Sequence, residues 1–227
     1  HHGRVIIENT LPPFDRVLQH GIWGIEFDIR WTEDLQPVII HDPDCKRVFG
    51  ERLTIGQMSL SELQSRVPQI PTLAQIIERY GGKTHLMAEI KEEYFPNPRR
   101  QRDSLRELFS ALTPARDFHI LALNPDVFRL VDFVPKSALL PVAEYNIREL
   151  SDLALRENYA GICGQYLLLY KKLVQKHREV EQKIGTGFVR SRHCFYRELK
   201  RGVSWVFTDH AVKLHNYQQT LLKRQDS

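Results

Sequence analysis

Short apolar runs rich in Ile, Val, Leu and Phe alternate with helical patterns along this chain, and this alternation restricts the fold more than any other feature. The spacing predicts strands over 24–30, 85–91, 118–123, 138–142, 160–163, 184–189 and 205–208. Helices are expected over 11–20, 73–80, 104–112, 126–133, 147–157, 167–182, 194–200 and 211–223. Strands with few polar positions read as buried on both faces, and strict β/α alternation implies a parallel sheet. With a further strand at or upstream of His1, the count reaches that of a (β/α)8 TIM barrel. An open doubly wound sheet is the alternative fold. Residues 37–41 break the alternation. Only 31–36 separate them from the preceding strand, too few for a parallel crossover, so the two strands should form an antiparallel hairpin. That hairpin places His41 near Glu26 and Asp28. The stretch 91–103, with Pro96, Pro98 and a run of Arg, reads as one long loop.

A chain of 227 residues with 42% hydrophobic and 26% charged residues is of ordinary globular composition and suits a single domain over 1–227. Cys45, Cys163 and Cys194 form no C-x-x-C pair, which argues against a disulfide framework or a thiolate zinc site. No apolar run approaches membrane-spanning length and no signal peptide is visible, so the expected location is cytoplasmic, unless an upstream segment has been trimmed. A net charge of +4 mildly favours anionic small molecules but is no nucleic-acid footprint.

Period-two alternation puts Glu26, Asp28 and Arg30 on one face of an apolar strand. Two carboxylates there, roughly 6–7 Å apart along the backbone, need neutralisation. Oxygen ligands of this kind suit one hard divalent cation, Mg²⁺ or Ca²⁺; structural salt bridges, one of them to Arg30, are the other reading. Glu89 and Lys91 repeat the theme at the end of the next apolar strand. Glu89 would be a third metal ligand and Lys91 a phosphate contact, or the two form a simple ion pair. His41, closing an apolar strand, is either a proton-transfer group or an interior histidine bonded to backbone. His1 and His2 are either part of a site or the remnant of a purification tag. The other His residues lack ligand-like spacing and read as surface or satisfied interior groups. The basic, amphipathic stretch 167–182 reads as one helix with a core face and a solvated face rather than a membrane binder.

Several of these pieces occur in one order. His-x-Gly opens the chain. Glu8-Asn9-Thr10, Gly24-Ile25-Glu26-Phe27-Asp28-Ile29-Arg30 and Pro37-Val38-Ile39-Ile40-His41-Asp42 follow. Later come Met58 to Leu63, Ile70-Pro71-Thr72-Leu73, Ala88-Glu89-Ile90-Lys91, Asn124-Pro125-Asp126-Val127 and Thr208-Asp209. The combination resembles the glycerophosphodiester phosphodiesterase family. The resemblance implies a TIM barrel with one divalent cation, Mg²⁺ or Ca²⁺, on Glu26, Asp28 and Glu89. It implies His1 and His41 as the acid/base pair, and Lys91 and the residue at His2 as contacts to a small phosphodiester substrate. In the family the substrate's own glycerol 2-hydroxyl is the nucleophile, and water opens the resulting cyclic phosphate to glycerol 3-phosphate. The sequence departs from the family where His2 replaces a phosphate-binding Arg. It departs again at Gly187-Phe188-Val189-Arg190, where a pocket-lining segment is unrecognisable. Other readings are a lysophospholipid or sphingomyelin phosphodiesterase on the same fold, and a non-catalytic barrel that binds phosphate ligands.

Overall fold

The structure, a computed structural model, describes residues 7–225, which divide into two compact units. One runs to Ile120 and includes Asp126–Phe133; the other holds Leu121–Pro125 and the chain from Val134 onward. The strand expected at or before His1 lies outside the described residues, as do His1 and His2 themselves.

In the first unit, helix α1 (Leu11–Gln19) begins with prolines in its first turn, where a missing N–H leaves no hydrogen bond unmade. Strand β1 (Gly24–Trp31) follows, with Phe27 and Ile29 fully buried. It pairs antiparallel with β2 (Pro37–Ile39), Ile29 opposite Ile39 and Trp31 opposite Pro37, as the short connection requires. The turn is closed locally: the Thr32 hydroxyl donates to Asp34 at 2.6 Å and accepts from the Gln36 backbone at 2.9 Å. Helices α2 (Lys46–Phe49), α3 (Leu60–Arg66) and α4 (Leu73–Tyr80) come next. Capping boxes open two of them, Ser59 with Glu62 and Thr72 with Gln75, each cap contributing about 1 kcal/mol. A core of Val38, Ile40, Cys45, Ile55, Leu63 and Ile70 packs beneath. Strand β3 (His85–Ile90) is buried at every position and pairs parallel with the other edge of β1.

Helix α5 (Pro98–Phe109) corrects the expected long loop over 91–103. Asn97 accepts from the Arg100 backbone and Pro98 takes the first position, so cap and proline start the helix six residues early. The stretch expected as a helix over 126–133 is instead a 3-10 segment, Pro125–Val131.

Strand β4 (Phe118–Ala122) begins in the first unit beside β3. There His85 and His119 form a buried imidazole pair, Nε2 of the first 2.7 Å from Nδ1 of the second. His85 Nδ1 lies 3.0 Å from the Arg116 carbonyl, so it must donate there and accept at Nε2 from His119. Trp23 stacks on His85 at 4.2 Å.

The second unit repeats strand and helix: β5 (Leu139–Ala143), α6 (Ile147–Glu157), β6 (Gly161–Gln165), α7 (Lys171–Glu179), β7 (Lys183–Gly187), α8 (Arg192–Arg201), β8 (Trp205–Val206) and α9 (Ala211–Gln225). The strands from β5 to β8 pair parallel in sequence order. Gly161 is required at the start of β6. A Cβ there would fall 1.8 Å from the Lys183 carbonyl oxygen, and its φ is +153°. The helix expected over 167–182 is shorter: 166–168 turn, and α7 starts at Lys171. Its Leu173, Val174 and His177 are buried, and His177 bridges Ser151 and Gln182. All three cysteines are free.

Burial lowers the pKa of both His85 and His119, the latter to about 4. Both rings gain protons near pH 6.5 once the chain unfolds, so stability should fall as pH drops below that value. His119 alone would cost up to about 2 kcal/mol between pH 7 and pH 5. His119→Asn keeps a donor at the Nδ1 position, and thermal melts over that range should show a clearly shallower pH dependence. An unchanged slope would contradict the assignment.

Candidate active site

Parallel pairing of β1 with β3 sets Asp28 directly beside Glu89, with Glu26 two residues earlier on the same face. Carboxylate oxygens of Glu26, Asp28 and Glu89 all lie within 4.8 Å of one another, the one such cluster among the described residues. Asp28 and Glu89 are buried, while Glu26 is exposed. Lys91 stands between the two buried acids, its Nζ 2.9 Å from Asp28 Oδ1 and 2.5 Å from Glu89 Oε1. The ion pair weighed from the sequence and the three-acid cluster are therefore both present. Burial pushes the Glu89 carboxyl up, and the Lys91 charge only partly offsets this. Burial alone would pull the Lys91 ammonium down, but Asp28 and Glu89 outweigh it and hold the pKa above its ordinary value. This spot thus demands positive charge, and its all-oxygen donor set fits a hard divalent cation.

Asn9 braces the centre from outside the sheet. Its Nδ2 donates to Asp28 Oδ2 at 2.8 Å, and its Oδ1 accepts from the Asp28 backbone at 3.2 Å. Asn9 holds φ at +55°, a conformation Asn tolerates better than most residues. Two contacts of Asp28 are thereby fixed, leaving Oδ1 turned to Lys91.

The hairpin brings His41 to the site, as expected. The Ile40 backbone donates to the Asp28 carbonyl at 3.0 Å. His41 Nδ1 lies 2.8 Å from Asp42 Oδ1. Hydrogen bonds from Arg47 hold the Asp42 carboxyl down at about 2. An ionised carboxylate only accepts, so His41 carries its proton on Nδ1 and presents Nε2 for exchange. Arg47 also grips Glu8, tying the segment that carries Asn9 to the loop that carries His41.

Sequence reasoning missed a second support. Arg30 Nε donates to the His41 carbonyl at 2.8 Å, and its Nη1 pairs with Glu93 at 2.8 Å. Glu93 also accepts from the Trp31 backbone at 3.0 Å. Arg30 was seen as a partner for the acids on its own face; its carboxylate instead comes from beyond the end of β3. The local signal was the third acid in the run Glu89 to Glu93.

Three carboxylates and a lysine thus converge on adjacent parallel strands. The sequence model of the Glycerophosphoryl diester phosphodiesterase family matches residues 2–213, and the chain belongs to that family of phosphodiester hydrolases. A glycerophosphodiester phosphodiesterase of Caldanaerobacter subterraneus is 24% identical over 225 residues, covering 92% of this chain and 91% of that one. The crystal structure of a glycerophosphodiester phosphodiesterase from Thermotoga maritima matches with a TM-score of 0.79 at 21% identity, over 95% of this chain and 99% of that one. An Oleispira antarctica phosphodiesterase, solved with the product sn-glycerol-3-phosphate, matches with a TM-score of 0.78 at 18% identity, over 94% and 92% of the two chains. These likenesses establish the fold expected from the sequence, that of the TIM-barrel phosphodiesterases with one antiparallel strand, β2, beside β1. No helix among the described residues is long and apolar enough to cross a membrane.

Replacing Lys91 by Met leaves Asp28 and Glu89 buried and facing each other. We expect Lys91→Met to lose about 3 kcal/mol of stability in EDTA. Millimolar Mg²⁺ or Ca²⁺ should raise its melting temperature by more than that of the wild type. Equal responses to the ions would show that the carboxylates do not share one.

Proposed function

We propose that this chain hydrolyses glycerophosphodiesters to glycerol 3-phosphate and an alcohol, acting as one domain over 1–227 with a divalent cation, Mg²⁺ or Ca²⁺, on Glu26, Asp28 and Glu89. The observation that carries this is the convergence of three carboxylates in a chain of this family, two of them on a strand whose hairpin partner leads into His41. The product seen in the Oleispira antarctica relative supports the substrate class.

Held by Glu26, Asp28 and Glu89, the cation would supply positive charge where the phosphodiester reacts. The chain's own residues do the rest. Asn9 and Lys91 hold the carboxylates convergent. Lys91, buried and cationic, also faces the phosphate as a point charge. His41 exchanges a proton at Nε2, its tautomer set by Asp42 and its backbone pinned by Arg30. His1 is the second proton carrier in this reading, so that one imidazole takes the proton of the glycerol 2-hydroxyl while the other protonates the departing alkoxide, and water then opens the resulting cyclic phosphate to glycerol 3-phosphate. His2 stands where the family's phosphate-binding Arg does, and an imidazole offers no bidentate fork, so more of the phosphate's charge falls to Lys91.

Purified protein with Mg²⁺ or Ca²⁺ should release glycerol 3-phosphate and choline from glycerophosphocholine. His41→Asn should lower kcat by about 10²–10⁴-fold, the usual contribution of a positioned proton carrier. Glu26→Ala should abolish turnover while leaving the fold intact, because Glu26 is exposed. Full activity in EDTA would rule out the metal role, and tight binding of the diester without turnover would favour a non-catalytic barrel.

A further inference from the structure

The loops that follow β5, β6 and β7 carry apolar side chains into water. Tyr145 is 93% exposed, Leu167 69%, Phe188 65% and Tyr170 45%. Parallel pairing sets these loops side by side: Ala143 is opposite Gly164, and Gln165 opposite Gly187. Tyr145, Leu167 and Phe188 each follow such a paired strand end by one or two residues. Tyr145, Leu167 and Tyr170 line one open pocket together with Arg148. Phe188 sits at φ +63°, a left-handed backbone that bulky residues rarely adopt. The fold thus accepts local strain and still leaves the ring in solvent, which core packing does not explain.

Cations flank the same apolar tips. Lys171 and Lys172 follow Tyr170 directly and are exposed, as are Arg148 and Arg190. The acids on these loops are Glu144 and Glu149, with Asp209 3.9 Å from Arg190. Helix α7 has already spent its own apolar face on the core through Leu173 and Val174. What projects is the turn before it, and there an apolar tip and two lysines adjoin. Protein interfaces deplete Lys from their centres, whereas lipid surfaces favour aromatic rings at headgroup depth beside cations that reach anionic phosphates.

We propose that these three loops form a docking surface for an anionic phospholipid bilayer. Tyr145, Leu167 and Phe188 enter the headgroup boundary, and Arg148, Lys171, Lys172 and Arg190 meet the lipid phosphates. The proposal is independent of the catalytic reading. In flotation assays the full chain should bind vesicles of phosphatidylcholine with about one third phosphatidylglycerol at low salt. It should bind pure phosphatidylcholine weakly, and high salt should release it. Tyr145→Ser with Phe188→Asn should weaken binding by at least tenfold, Asn being the residue best suited to a positive φ. Lys171→Gln and Lys172→Gln should each weaken it by about fivefold. Melting temperature should stay unchanged in all of these variants, and hydrolysis of glycerophosphocholine should stay unchanged in the Lys171 and Lys172 variants. Absence of binding to the anionic vesicles, or wild-type binding by the variants, would overturn the proposal. So would concentration-dependent self-association in sedimentation velocity that the same substitutions abolish, because the surface would then be a contact between copies.

Discussion

Asp28 and Glu89 stand at paired positions on adjacent parallel strands, out of water, with Lys91 reaching between them. Two like charges at that separation are tolerable only when a cation shares the space, because the low-dielectric surroundings strengthen repulsion and withhold solvation. The ammonium is therefore a condition of the local fold as much as a part of the site. A lysine meets the condition imperfectly. It is a single charge on a flexible stem, and it leaves Glu26 and the raised carboxyl of Glu89 with capacity for more positive charge. A strand pair whose acids keep capacity for positive charge fits a hard cation.

The single antiparallel strand explains how an imidazole reaches that cluster. A parallel crossover needs a dozen or more residues and would carry the next strand end to another neighbour. The tight turn at 32–36 instead returns the chain along β1, so that His41 emerges beside the end that bears Asp28. Position alone would leave the ring free to swing. Arg30 removes that freedom from one side by holding the His41 carbonyl, with Glu93 as its counter-charge, and Asp42 removes it from the other by fixing the tautomer. Arg47 then joins Asp42 to Glu8, tying the segment bearing Asn9 to the loop bearing His41.

Legibility in the sequence followed the range of the interaction. Glu26 and Asp28 on one face and the hairpin were readable because strand period and loop length are local. The start of α5 was locally encoded too, in Asn97-Pro98, but the surrounding Pro and Arg made the stretch resemble a loop. The turn at 166–168 was hidden by an amphipathic pattern that ran through it into α7. The Arg30–Glu93 pair spans 63 residues and the Arg47–Glu8 pair 39, and no periodicity in one chain announces such partners. His85 and His119 looked unremarkable singly. They are satisfied interior groups, as read, but that each satisfies the other emerges only once β3 and β4 lie together.

Strand β3 shows two solutions to one problem. All six of its residues are buried, yet it carries a titratable group near each end. At its first residue, burial is met by neutrality: His85 gives up its charge and hydrogen-bonds to a second neutral ring, an arrangement complete in itself. Near its last residue, burial is met by counter-charge: Glu89 is held by Lys91 and still has oxygen directed toward Glu26 and Asp28. A neutral pair has nothing further to bind, whereas a partly compensated cluster of acids does. Capacity for a cation therefore concentrates at the end of β3 where charge was retained. The other end serves stability, at the expense of sensitivity to acid.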